Sequence, residues 1–168
     1  GAYTVTLTAS NNYGTDDKTA FQILGVGGAS LPFIEDFESG LTGWEIANPD
    51  AGITWAAATV NGTSPGSTGM TINHYSYSTT GAVDELISPA LDFTNDTLIN
   101  LEFEYASAYF SSGYKDSLKV YVSDDCGSTW NLVAAYDGSD ASFTTAGVVT
   151  PAFAPADSTY WCHGSSSV

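Results

Sequence analysis

The chain has 168 residues, 43% of them hydrophobic and 13% aromatic, and a net charge of −16 from 19 acidic residues against three lysines and no arginine. That is enough apolar material for one good core, or for one domain plus part of another, and it excludes a disordered chain. The charge excludes nucleic acid and anionic membrane surfaces as partners, and no apolar run approaches the ~20 residues that span a bilayer.

The opening stretch alternates from Tyr3 to Ala9, apolar Val5 and Leu7 against Thr4, Thr6 and Thr8. Period two predicts a strand with one buried face. "NNYGTDD" predicts a turn and "KTAFQIL" the returning strand. The pattern G-x-Y-x-V-x-L-x-A-x-N-x-x-G resembles the last two strands of a PKD domain, an immunoglobulin-like sandwich of secreted bacterial proteins, over residues 1–25. The Trp-Asp-Phe-Gly-Asp-Gly signature of that family is absent, so missing strands are expected from a longer parent or from another chain. Because the chain starts at Gly1, a processed product or excised fragment is expected.

Residues 26–31, within "GVGGASL", predict a flexible linker and a domain boundary, with a second domain over 32–168. Past it, "ITWAAA" predicts a strand, "VNGTSPGSTG" a loop, and "DELISPALDF" an edge strand broken by Pro89. The clearest strand is "TLINLEFEYAS", with Ile99, Leu101, Phe103 and Tyr105 alternating with polar residues. "DSLKVYVS" follows, Leu118, Val120 and Val122 inward and Lys119 and Tyr121 outward, then "TWNLVAAY" and "GVVTPAF". With strands at this spacing and no helical period, the fold class is all-β, a sandwich or barrel.

Between two of those strands stands "SDDCGSTW". Ser123, Asp125, Gly127, Thr129 and Trp130 fit S-x-D-x-G-x-T-W and resemble the Asp-box, a hairpin turn of sialidases and unrelated β folds. Its physics is local: the Asp carboxylate accepts from turn N–H groups, the Gly supplies a positive φ, and the Trp is expected to return to the core. The spacing lacks the distal Glu of an EF-hand loop. Cys126 in this turn and Cys162 in "STYWCHG" suggest one disulfide for an oxidising compartment; C-x-x-C redox spacing is absent, and zinc would need more ligands than these and His163.

Taken together, "FIEDFESG…GW", "KDSLKVYVSDDCGSTW" and "FAPADSTYWC" resemble the choice-of-anchor J domain from Leu31 onward. This is a jelly-roll module related to the MAM domain and to the cleaved adhesin domains of secreted Bacteroidetes proteases. The family's closing Gly-Asn-Asn-x-Tyr-x-Asp-Asn-Ile-type strand is not present, so an end cut short is expected. The resemblance implies a jelly-roll β-sandwich, secretion by a type IX route to the extracellular space or cell surface, and a non-catalytic adhesive or accessory role. It implies other domains of the same secreted protein as partners, a pappalysin-like metallopeptidase being a typical host. It also implies structural calcium at Glu35, Glu38 and Asp116, the alternative being exposed acids on an edge strand.

No H-E-x-x-H or G-x-S-x-G motif is present, and the adjacent Asp84 and Glu85 would point apart in a strand, so no catalytic residue is assigned. Loop aromatics remain: Tyr75 and Tyr77 in "NHYSYS", and Tyr109, Phe110 and Tyr114 in "SAYFSSGY", either stack on sugar rings or cover the sandwich ends. Asn61-Gly-Thr and Asn95-Asp-Thr match glycosylation acceptors. Two further readings stand beside the adhesive one: a carbohydrate-binding module, with a polysaccharide or cell-surface protein as partner, and a self-associating subunit of an extracellular filament built by strand complementation.

Overall fold

The structure, a computed structural model, describes the backbone of residues 2–11 and 14–25 and, with side chains, residues 27–62, 66–111, 113–138 and 143–167. The fold is all-β, a β-sandwich in character, preceded by a hairpin. No helix among the described residues is long and apolar enough to cross a membrane.

β1 (Ala2–Asn11) and β2 (Gly14–Gly25) pair antiparallel, Val5 opposite Ala20 and Ala9 opposite Asp16, with a register shift between Tyr3 and Val5. The returning strand therefore starts at Gly14, four residues before the expected Lys18. Pairing runs to the tip because Asp16 and Asp17 sit opposite Ala9 and Thr8 in the ladder. Asn12 and Tyr13 of the expected turn lie outside the described residues, as do Val26 of the linker and Thr63 of the first glycosylation triplet. The linker is not flexible throughout: β3 (Ala29–Ser30) pairs in parallel with β8 (Leu91–Asp92), and Ala29 N–H donates to the Ala90 carbonyl at 2.8 Å.

β4 (Glu45–Ala47) pairs with β7 (Glu85–Ile87), and β5 (Ala56–Thr59) with β6 (Thr68–Thr71). The break between β7 and β8 falls at Ser88–Ala90, as Pro89 leads one to expect. β9 (Asn100–Tyr105) pairs with β12 (Cys162–Ser167), and β10 (Ser117–Val122) with β11 (Asn131–Asp137). β10 alternates as its sequence implies, with Leu118, Val120 and Val122 more buried than Lys119 and Tyr121. "GVVTPAF" forms no strand. Val148 makes a single bridge to Tyr109 before Pro151, which has no N–H to extend a ladder.

Among the described residues, Val60 (5% exposed) and Phe143 (7%) are the most deeply buried hydrophobic side chains. Phe143 belongs to an aromatic knot. Tyr105 lies 5.0 Å from Tyr136 and 5.7 Å from Phe143, ring centre to ring centre, and Phe103 meets Tyr136 edge-on at 5.8 Å. These are the offset and edge-to-face arrangements that aromatic quadrupoles favour. β12 reaches this knot only because Gly164 has no side chain: a Cβ there would lie 2.3 Å from Phe103 Cζ. A smaller cluster sets Trp44 against Phe37 at 5.2 Å and Phe33 at 6.5 Å.

Candidate functional site

The β10–β11 turn is built as its residue types require. Asp125 Oδ1 accepts from Thr129 N–H (2.7 Å) and the Ser123 hydroxyl (2.8 Å), and Oδ2 accepts from the Thr129 hydroxyl (2.7 Å). Ser123 Oγ in turn accepts from Gly127 N–H at 2.7 Å. Gly127 has φ +82°, the left-handed region that glycine enters without steric cost. The Thr129 backbone donor, then the Thr129 and Ser123 hydroxyls, hold the Asp125 carboxyl below its ordinary pKa. All three polar side chains, Ser123, Asp125 and Thr129, serve the turn itself. Trp130 departs from expectation: it is 47% exposed, with its ring over Gly127 at 3.5 Å from where a Cβ would stand. It stands directly before β11, and packs on its own turn in place of the core.

The expected Cys126–Cys162 disulfide is not formed; both cysteines are free. Cys126 is at the turn, whereas Cys162 opens β12 opposite Tyr105. Ser166, four residues on, donates to the Val133 carbonyl at 3.1 Å near the turn end of β11, and Gly164 lies against the Tyr136 hydroxyl further along. β12 thus begins at the end of β11 remote from the turn. At about 3.3 Å per residue, the two cysteines are separated by roughly a strand length, far beyond the ~7 Å Cα limit for a bridge.

The expected calcium carboxylates are not brought together. Glu35 Oε1 accepts from Phe37 N–H and Oε2 from Trp44 Nε1, both at 2.8 Å. Glu38 Oε1 takes Ser67 N–H, the Ser67 hydroxyl (3.1 Å) and Thr68 N–H (2.8 Å). The Ser67 backbone donor leads in holding the Glu38 carboxyl below its ordinary pKa. Asp116 faces His74, Oδ1 to Nδ1 3.3 Å. Among the described residues no three His, Cys, Asp or Glu side chains converge on a metal position. Glu35 and Glu38 act as braces, tying the first loop to Trp44 and to the start of β6.

The loop tyrosines separate into two kinds. Tyr75, in the short 3₁₀ turn His74–Ser76, is 54% exposed, and Tyr114 is 68% exposed. Phe110 (46%) stands between them, 6.0 Å from Tyr75 and edge-on to Tyr114 at 5.9 Å. The three rings form one open, faceted platform, Tyr75 tilted by 57° and Tyr114 by 80° to Phe110. Its two loops are tied by the His74–Asp116 pair, and Tyr114 N–H donates to the Ser111 carbonyl at 3.0 Å. Tyr109 is half-buried, its backbone bonded to Gly147 and Val149. Tyr77 is half-buried too: its hydroxyl lies 2.9 Å from Asp50 Oδ2 and 3.2 Å from Asp84 Oδ2. Burial, then these two carboxylates, push that hydroxyl well above its ordinary pKa, so it stays a donor. Tyr109 and Tyr77 are therefore not part of the platform, because tertiary contacts claim them.

Sequence reasoning missed the loop that Tyr77 touches. Its signal is the alternate spacing Asn48-x-Asp50-x-Gly52-x-Thr54, oxygen-bearing side chains two apart around a glycine. His163 Nε2 lies 3.6 Å from Glu104 Oε1, and in neither His pair is a Ser, Thr or Cys hydrogen-bonded to the imidazole among the described residues. Comparison with known proteins finds no matching family model, no matching curated protein and no matching solved structure.

Proposed function

We propose that this chain is a non-catalytic adhesive or accessory module of a secreted multidomain protein, and that it holds its partner on the platform of Tyr75, Phe110 and Tyr114. The observation that carries this reading is the contiguity of the three exposed rings across two loops pinned by His74 and Asp116. Exposed aromatic rings on two adjoining loops suit the C–H faces of a sugar, each ring offering its own face, and the tyrosine hydroxyls supply hydrogen bonds at the rim. The net charge of −16 disfavours acidic polymers, so the ligand class is a neutral polysaccharide. Depletion of the protein by insoluble neutral polysaccharides (cellulose, chitin, xylan) tests it. Tyr75→Ala with Tyr114→Ala is expected to abolish retention while leaving the melting temperature within a few degrees. Absence of retention on every such polymer removes the carbohydrate reading.

A second reading, association by strand complementation, has its own support. Tyr121 (46% exposed) pairs across β10–β11 with Leu132 (53%), and Trp130 (47%) adjoins them, an apolar strip on a two-stranded ladder. Light scattering at increasing concentration tests it; a strict monomer ends it.

A further inference from the structure

The β4–β5 loop holds a set of oxygens that the protein does not satisfy. Asn48 Nδ2 donates to the Gly52 carbonyl (3.0 Å), and Gly52 N–H donates to Asp50 Oδ1 (2.9 Å). The Tyr77 hydroxyl joins Asp50 to Asp84, and Trp55 Nε1, one residue past Thr54, donates to the Asp84 carbonyl at 3.1 Å. Asn48, Asp50 and Asp84 thus belong to one hydrogen-bonded network, and Thr54 adjoins it in the chain, next to Trp55. Of these residues, Asn48 Oδ1, Thr54 Oγ1 and Asp84 Oδ1 are sealed from solvent and have no hydrogen-bond partner. Native proteins seldom leave such atoms unpaired, and an ion or an ordered water is the usual explanation.

Two further counts point to an ion. A phenol has one proton, so Tyr77 satisfies one carboxylate contact and leaves the other without a donor. Among the described residues, the pairs between cationic groups and carboxylates are His74–Asp116 and His163–Glu104, which leaves both Asp50 and Asp84 without a cation. The spare capacity of these residues is therefore two negative charges and oxygen acceptors of three kinds: carboxylate, amide and hydroxyl. Hard oxygen sets of mixed kind select calcium, which takes ~6–8 oxygens in irregular geometry, over magnesium, which demands a near-ideal octahedron and keeps its waters.

We propose that Asn48, Asp50, Thr54 and Asp84 form a calcium site that fastens the β4–β5 loop to the residue preceding β7, with Tyr77 orienting the two carboxylates. The site shares no ligand with Glu35, Glu38 and Asp116 or with the platform rings, which it meets only through the stacking of Tyr77 on His74 at 6.3 Å, and polysaccharide retention tests the adhesive reading separately.

The test compares melting temperatures of the chelator-stripped protein in calcium chloride, magnesium chloride or neither, together with terbium luminescence sensitised by Tyr77 and Trp55. Calcium at about a hundred times its dissociation constant is expected to raise the melting temperature by roughly 5–10 °C, and magnesium by much less. Calcium is expected to quench the terbium signal. Asp84→Asn and the milder Asn48→Ala are expected to lose the calcium-dependent rise, while Glu35→Gln keeps it. If Asp84→Asn fails to fold, Asn48→Ala decides. A wild-type melting temperature indifferent to calcium overturns the proposal, and so does a rise that both loop variants retain. Asp84→Asn raising the melting temperature in the absence of metal, with no calcium response in the wild type, would assign the orphan oxygens to water and simple repulsion.

Discussion

Replacing Phe143 by alanine probes where this protein keeps its core. The side chain is 93% removed from solvent, since 7% remains exposed, and it packs on Tyr105 at 5.7 Å and Tyr136 at 6.2 Å. Taking about 150 Å² for the ring at ~25 cal/mol per Å², its burial contributes about 4 kcal/mol, of which the remaining methyl keeps ~1 kcal/mol. Loss of two ring–ring contacts adds about 0.5–1.5 kcal/mol each, so the expected destabilisation is roughly 4–6 kcal/mol, its lower end within the usual ~3–5 kcal/mol for Phe→Ala in a core. Urea unfolding followed by tryptophan fluorescence reads this as a fall in midpoint at constant slope. Because ~4–6 kcal/mol is a large share of a domain's stability, Phe143→Leu serves as a companion, with an expected cost of about 1–1.5 kcal/mol. A loss below ~1 kcal/mol in Phe143→Ala would refute the claim that the aromatic knot is the cohesive centre.

Three other outcomes are expected. Gly164→Ala would set a methyl 2.3 Å from Phe103 Cζ and 2.8 Å from the Tyr136 hydroxyl, so overpacking is expected to cost about 1–3 kcal/mol in the same unfolding assay; a neutral variant would mean that the Phe103 ring swings clear. The Asp125, Glu38, Asp92 and Asp157 carboxyls are all held below their ordinary pKa by hydrogen bonds, led in Asp125 by the Thr129 backbone N–H. The folded state therefore binds fewer protons than the unfolded one. Their stabilisation is full above the unfolded pKa and is lost as pH falls through the folded pKa, so the urea midpoint is expected to decline below about pH 4, less steeply in Asp125→Ala. An equal decline in that variant would remove Asp125 from the account. Finally, thiol titration without reductant is expected to count two free thiols after unfolding, with exposed Cys126 reacting first in the native state; a count of zero would restore the disulfide.

Strand patterning and turn chemistry are local properties, and they could be taken from the residues alone. Leu118, Val120 and Val122 alternate with Lys119 and Tyr121 because a pleated strand has period two, whatever surrounds it. Ser123, Asp125, Gly127 and Thr129 make their turn from bonds spanning four residues at most. The same locality made Pro89 a reliable break between β7 and β8. Pairing between distant segments obeys different physics. "CHGSSS" carries little strand propensity, yet it becomes β12 because β9 offers a free ladder and Gly164 alone fits against Phe103. Two cysteines invited a bridge until strand direction placed them at opposite ends of β11. Of five loop aromatics, only the structure decided that Tyr75, Phe110 and Tyr114 face solvent while Tyr77 is claimed by Asp50 and Asp84, residues 27 and 7 positions away. Composition and period dictate that strands form and where they turn. Which side chains meet is set by long-range packing, where each contact depends on every other.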